Sequence, residues 1–349
     1  MAPPTTAHFD ISPEKEASKL SCMRRQLFTT PPLITTEHDG ITLAGKTAII
    51  TGSNGGIGLE CARQLLDLGV SKLILTGRDD ARNEAALKDL NQNAETGRVE
   101  LWKLDMLSYE SITNFVERAS HLAHLDMVVL NAGIFRLDMT ICPSTGHEED
   151  VQTNYLSTAL MALLFLQIFK NSTRSSPGKI VLVSSDTAAW AKFKEKSANP
   201  ILSAPDDKSN KWDTMERYAT SKLLGQLFVT ELAKHVSPDL AVVNMANPGL
   251  CHGSGLGRHG AGTVLGFALN SLAAVMGRTP SIGARAIVDA AVRKGPESHG
   301  QYCEDGKIRP MAPLVYKAET EEVAQRLWAE TMKELSRFGA DAIIREISQ

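Results

Sequence analysis

The chain has 349 residues, 43% hydrophobic and 22% charged, with a formal net charge of -3 and a pI near 6.3. That suffices for one large α/β domain or two ordinary ones with a full core, and it carries no basic footprint for a nucleic acid or an anionic membrane. Five scattered cysteines with no CxxC pair argue against a disulfide framework or a zinc site, and the absence of a signal-peptide pattern or a spanning apolar run predicts a cytoplasmic protein with no transmembrane segment.

Residues 1–40 hold five of the fifteen prolines and read as an arm with little regular structure, ended by the turn signal Asp39-Gly40. Short apolar runs then follow at 47–50, 73–75, 99–104, 127–130, 180–183 and 240–243. They are continuous rather than alternating, as strands buried on both faces of a parallel sheet should be. Helix-period segments separate them; in the first, Ile57, Cys61, Leu65 and Leu68 share a face and Gly69 stops the run. The pattern predicts a doubly wound, Rossmann-type α/β sheet with helices on both faces, over 41–312 as a single domain. Two stretches break the rhythm: a polar insertion at 186–216 with Trp190, Phe193 and Trp212, and the glycine-rich 250–277 with apolar pieces at 264–269 and 272–276. The second is too short to span a membrane and is expected to be a substrate lid. Residues 313–349 read as a C-terminal helical extension, with one long charged helix over 319–347. His121 and His124, three apart on a helix, read as a surface pair rather than a metal site.

The segment Thr51-Gly52-Ser53-Asn54-Gly55-Gly56-Ile57-Gly58 joins the first strand to the first helix. Gly52 suits a tight turn, Gly56 a close approach of backbone to a pyrophosphate, and Gly58 close packing of helix on strand. The second strand ends at Gly77-Arg78, where an acidic residue would select NAD and an arginine accommodates the 2′-phosphate of NADP. Asp79 and Asp80 directly follow, as helix caps or as competitors. Further on, Tyr218 and Lys222 are four apart in a helical stretch and can face one cleft. An ammonium within about 4–6 Å would lower a phenol pKa by roughly 1–3 units, toward use as an acid–base.

In their order these features resemble the short-chain dehydrogenase/reductase superfamily across about residues 42–312. The resemblance rests on Thr51-Gly52-xxx-Gly56-x-Gly58, Asn131-Ala132-Gly133, Asn154, Ser185, Tyr218-xxx-Lys222 and Asn247-Pro248-Gly249. Residues 24–32 and 45–48 look like fungal members near the retinol-dehydrogenase-like branch, many of which serve secondary metabolism. The resemblance implies that Tyr218 is the general acid–base, that Ser185 (rather than Ser184) bonds the substrate oxygen, that Lys222 lowers the Tyr218 pKa and holds the nicotinamide ribose, and that Asn154 anchors a proton-carrying water. It implies an NADP(H) site of Gly52, Ser53, Asn54, Gly56, Ile57, Gly58, Arg78, Asp105 at the adenine, Asn131, Ala132 and Gly133 on the floor, Tyr218, Lys222, and Pro248, Gly249 and Leu250 at the nicotinamide. The expected substrate is a mid-sized apolar ketone or secondary alcohol; a retinol- or steroid-type dehydrogenase and a catalytically silent NADP(H)-sensing protein are the alternatives. Whether helices over 147–171 and 216–235 form a homodimer face, as is common in the family, is left open. Two features depart from the pattern: Ser185 and Tyr218 are 33 positions apart, much farther than in standard-length members, and Gly253 stands where a threonine is usual.

Overall fold

The structure, a computed structural model, describes residues 9–91, 97–209, 211–256 and 263–348, without the side chains of 264, 265 and 268–270. Six parallel strands, Thr47–Ile50 (β1), Lys72–Gly77 (β2), Val99–Lys103 (β3), Met127–Leu130 (β4), Gly178–Val183 (β5) and Ala241–Asn247 (β6), are extended by Tyr302–Glu304 (β7) and Lys307–Arg309 (β8). The order is β3-β2-β1-β4-β5-β6-β7-β8, parallel throughout except for the β7–β8 hairpin. The sheet reverses between β1 and β4, the place where such sheets bind ligands beyond the strand carboxyl ends.

The continuous apolar runs are explained by two cores. Ile49, Ile74, Val128, Ile180 and Val243 enter one; Ala48, Ile50, Leu73, Val129 and Val181 enter the other. The first face is covered by helices Tyr109–Ser120 (α6), Ser157–Asn171 (α8) and Thr214–His235 (α9), the second by Gly56–Asp67 (α4) and Pro280–Val292 (α11). Asp80–Asn91 (α5) follows β2. The short helix Glu149–Val151 (α7) runs into α8 through a π-turn at Gln152–Leu156. This composite is the one helix among the described residues long and apolar enough to cross a membrane, and 83% of its apolar window is buried inside the protein. It is a core helix.

Three readings of the sequence need correction. The arm is helical: Pro13–Glu16 (α1), Lys19–Phe28 (α2) and Thr36–Asp39 (α3), the first two begun by the Ser12 and Ser18 caps. Periodicity hides α2 because its buried residue is Arg25, while Leu20, Met23 and Leu27 face outward. The tail is two helices, Ala318–Glu334 (α12) and Ala340–Ile347 (α13), because Gly339 at φ +78° turns the chain between them. The hairpin at the sheet edge was overlooked, although Asp305-Gly306, both at positive φ, is the two-residue turn such a hairpin favours. The stretch after β6 contains helix Val264–Met276 (α10), in which Phe267 is 76% and Val275 84% exposed. The side chain of Leu269, also expected in a lid, lies outside the described residues, as do residues 257–262.

Candidate active site

The glycine turn leaves β1 and opens α4 with Gly52 and Gly56 at φ +63° and +56°. A Cβ on Gly52 would sit 2.9 Å from the Ala132 Cα, one on Gly56 2.6 Å from the Ser254 carbonyl oxygen, and one on Gly58 2.6 Å from both the Asn131 amide and the Gly52 oxygen. Only glycine fits. Helix α4 starts at Gly55 with no side-chain cap, whereas α6, α9 and α11 start on Ser108, Asp213 and Thr279 caps. Its N-terminus thus lacks the capping side chain that α6, α9 and α11 carry, which suits a phosphate. Asn131 Nδ2 donates to the Thr51 and Gly52 carbonyls and ties the floor to the turn. The Ala132 N–H is bonded to Thr51 Oγ1. Ser53 lies in the turn, but its N–H bonds Thr76 and its hydroxyl bridges Ile50 to Thr76, so the side chain braces β1 on β2. Asn54 is held by Asn83, which also bonds the Gly77 carbonyl; sequence reasoning missed Asn83, an ordinary helix residue by type. Ile57 is half-buried on α4.

At the end of β2 the Arg78 side chain is 44% exposed and only 3.5 Å from one Asp105 oxygen, a weak surface pair. Asp79 accepts from the Arg82 N–H in the first turn of α5. Asp105 itself accepts from the Leu107 N–H.

Past the carboxyl end of β5 lie the residues expected to act as acid and base, with Tyr218 and Lys222 supplied by α9 and Asn154 by the π-turn. Ser185 begins a 3-10 turn, Asp186–Trp190, and its hydroxyl accepts from Thr187. Ser184 points the other way, toward Gln226 on α9. Tyr218, 7% exposed, packs edge-on against Phe135 at 5.3 Å. Burial raises its phenol above the usual range, the Asp150 carboxylate adds to that, and a hydrogen bond with Ser185 lowers it. Lys222 is 8% exposed; burial lowers its ammonium to about 8 against the opposing pull of Asp150. Its Nζ donates to the Val183 carbonyl at 2.9 Å and lies 5.7 Å from the Tyr218 ring centre. The expected pull of Lys222 on the phenol therefore does not overcome burial in the chain by itself. Asn154 sits in the π-turn, a local widening often found at functional sites. Its amide bonds both polar groups of the Ile134 backbone and Ser221 Oγ. A Cβ on Gly133 would meet Asn154 Oδ1 at 3.1 Å and Lys222 Nζ at 3.6 Å. Beneath them a cavity of about 20 Å³, lined by Asn154, Ser184, Ser221 and Lys222 among others, is large enough for one water.

Within the insertion Trp190 donates to the Ala17 carbonyl of the arm, and Trp212 to Thr214 Oγ1. Trp190 follows Ser185 and Trp212 precedes Tyr218, whereas Phe193, Ile201 and Leu202 are buried in the main core. Glu330 of α12 holds the Ile201 and Leu202 N–H groups. Phe135, beside Tyr218, was not found from sequence; its position two residues beyond Gly133 was the available signal.

The family model for short chain dehydrogenase matches residues 46–197. Short-chain dehydrogenase fogG of Aspergillus ruber is 51% identical over 98% of this chain and 99% of its own length. Short chain dehydrogenase/reductase mfmJ of Annulohypoxylon moriforme is 40% identical over 87% and 89%. Among solved structures, a putative NAD(P) dependent gluconate 5-dehydrogenase from Beutenbergia cavernae with bound NADP is 20% identical, with a TM-score of 0.54 over 76% of this chain and 96% of that one. An NADPH-bound short chain oxidoreductase from Pseudomonas aeruginosa is 24% identical, with a TM-score of 0.56 over 78% and 100%. The glycine turn, the convergent Ser185, Tyr218 and Lys222, and near full-length identity to such relatives agree: the chain belongs to the short-chain dehydrogenase/reductase family and is an oxidoreductase.

Proposed function

We propose that the protein is an NADP(H)-dependent reductase that converts the ketone of a mid-sized apolar molecule to a secondary alcohol in fungal secondary metabolism. The observation that carries the reading is the gathering of Tyr218, the Ser185 hydroxyl that acts on its phenol, Lys222 with its Nζ 5.7 Å from the Tyr218 ring centre, and Asn154, whose Oδ1 flanks Gly133 together with Lys222 Nζ. NADPH, when bound, supplies the hydride. Tyr218 gives its hydroxyl proton to the carbonyl oxygen as the carbon accepts hydride, and Ser185 donates a hydrogen bond to the same oxygen. Lys222 and Asn154, with the one-water cavity below them, form a route for returning a proton to Tyr218. The uncapped α4 N-terminus and the glycine cradle would hold the pyrophosphate, Gly133 and the Leu250 backbone would border the nicotinamide half, and Arg78 would take the 2′-phosphate. Phe135 against Tyr218 supports an apolar substrate.

One experiment tests both halves. Tyr218→Phe should bind NADPH as the wild type does and reduce model ketones roughly 10²–10⁴-fold more slowly. Arg78→Ala should lose roughly one to two decades of NADPH affinity with little change for NADH. Equal wild-type affinity for the two cofactors would remove the NADP assignment. NADPH binding with no turnover of any carbonyl or alcohol would make the protein a silent binder.

A further inference from the structure

The loop after β6 is gripped by a residue more than two hundred positions away. Gln26, on α2, accepts from the Leu250 N–H at 3.0 Å through Oε1, and its Nε2 donates to the Leu250 carbonyl at 2.9 Å and the Met276 carbonyl at 3.0 Å. Both donors and the acceptor of the amide are used, a pattern glutamine can make and glutamate or lysine cannot. Gly249, at φ +74°, is part of the same fit, since a Cβ there would lie 2.7 Å from Gln26 Oε1.

The flanking residues secure the grip. Arg25, 8% exposed, pairs with Glu16 at 3.1 Å, with Asp186 at 3.1 Å and with Glu304 at 3.3 Å. Asp186 directly follows Ser185, and Glu304 accepts from the Asn247 amide just before Pro248-Gly249. Arg278, 6% exposed, donates to the Arg25, Thr29 and Pro248 carbonyls, and its own N–H bonds the Leu250 carbonyl. Beyond this root a Cβ on Gly253 would touch nothing within 4 Å. At Ser254 the loop reaches the glycine turn, where the Ser254 backbone covers Gly56. The loop therefore bridges the end of β6 and the dinucleotide cradle, fixed at its root by α2.

We propose that Gln26 is a positioning residue for the nicotinamide half of the cofactor site, which makes the N-terminal arm a working part of that site. The proposal rests on the reading that the Leu250 backbone borders the nicotinamide. Without Gln26 the Leu250 peptide is held by Arg278 alone, and the loop no longer meets the cofactor with one fixed surface.

The test uses the full chain and two ligands: NADPH, and 2′,5′-ADP, which carries the adenine and 2′-phosphate but no nicotinamide. Gln26→Ala and Gln26→Glu, the second keeping the acceptor and losing both donors, should each weaken NADPH about tenfold in fluorescence titration while 2′,5′-ADP stays within about twofold. Arg24→Ala, an exposed neighbour, should change neither. Unaltered NADPH binding in both Gln26 variants overturns the proposal, and so does an equal loss of both ligands, which marks a general structural role. A wild type that binds neither ligand overturns the cofactor reading as well, so the two failures are distinguishable.

Discussion

Lys222 illustrates a side chain retained against stability. Its ammonium is buried with a backbone carbonyl as its hydrogen-bond partner, and burial lowers its pKa from 10.5 to about 8. A base depressed in the folded state binds fewer protons than the unfolded chain between those values, so the penalty is complete below pH 8 and is relieved as pH rises toward 10.5. Lys222→Met should therefore raise stability at pH 7 by about 1–3 kcal/mol, read as a higher urea midpoint at unchanged slope, while removing turnover. A lower midpoint would mean that the bond to Val183 outweighs desolvation. At this scale the sequence was legible where chemistry dictates residue type: a phenol, an amine four positions on and a hydroxyl at a strand end have few substitutes. Asn83, Phe135 and Gln26 gave no such signal. Their types are common and their roles arise only from partners that the fold brings beside them.

Helices and connections show a second kind of dependence, in which charged side chains join elements far apart in the chain. His147, just before α7, pairs with Asp206 of the insertion at 3.0 Å and with Glu334 of α12 at 3.7 Å. Burial alone would lower its pKa, but the two carboxylates prevail and raise it to about 9. A histidine raised above its unfolded value contributes stability that is complete below about pH 6.5 and is lost as pH rises through 9. Urea midpoints measured between pH 6 and 9.5 should fall more steeply for the wild type than for His147→Gln; parallel curves would exclude the histidine as the cause. The sequence revealed β1, β2, β4, β5 and β6 because burial on both faces makes them largely apolar, whereas the edge strand β3 shows only part of that pattern, with Val99 and Trp102 buried. It did not reveal that the insertion's middle belongs to the core, since Phe193, Ile201 and Leu202 are isolated among polar neighbours. Nor did it reveal α2, whose buried contact is an arginine held by three carboxylates.

For the whole molecule, the tail decides what the outer helix faces can do. Trp328 of α12 stacks on Phe228 and His235 of α9, at 5.6 and 5.0 Å, and Tyr155 hydrogen-bonds Thr331. Ile343 and Ile347 of α13 are buried against the core that includes α8. The helices left open as dimer faces are thus covered by the chain's own C-terminus. The full-length protein is expected to sediment as a monomer at micromolar concentration, and deletion of 318–349 to cause association through the uncovered apolar surface. A dimer of the full chain would have to use another face. The arm has its own consequence for how the molecule is made. Gln26 and Leu250 are 224 positions apart, and Arg278 must also be in place before the Arg25 and Thr29 carbonyls gain their donor. During synthesis the arm emerges first and waits unpartnered while the sheet assembles strand by strand. A nascent chain stopped short of Arg278 then holds the six strands through β6 with the loop behind them not yet tied to residues 25–29.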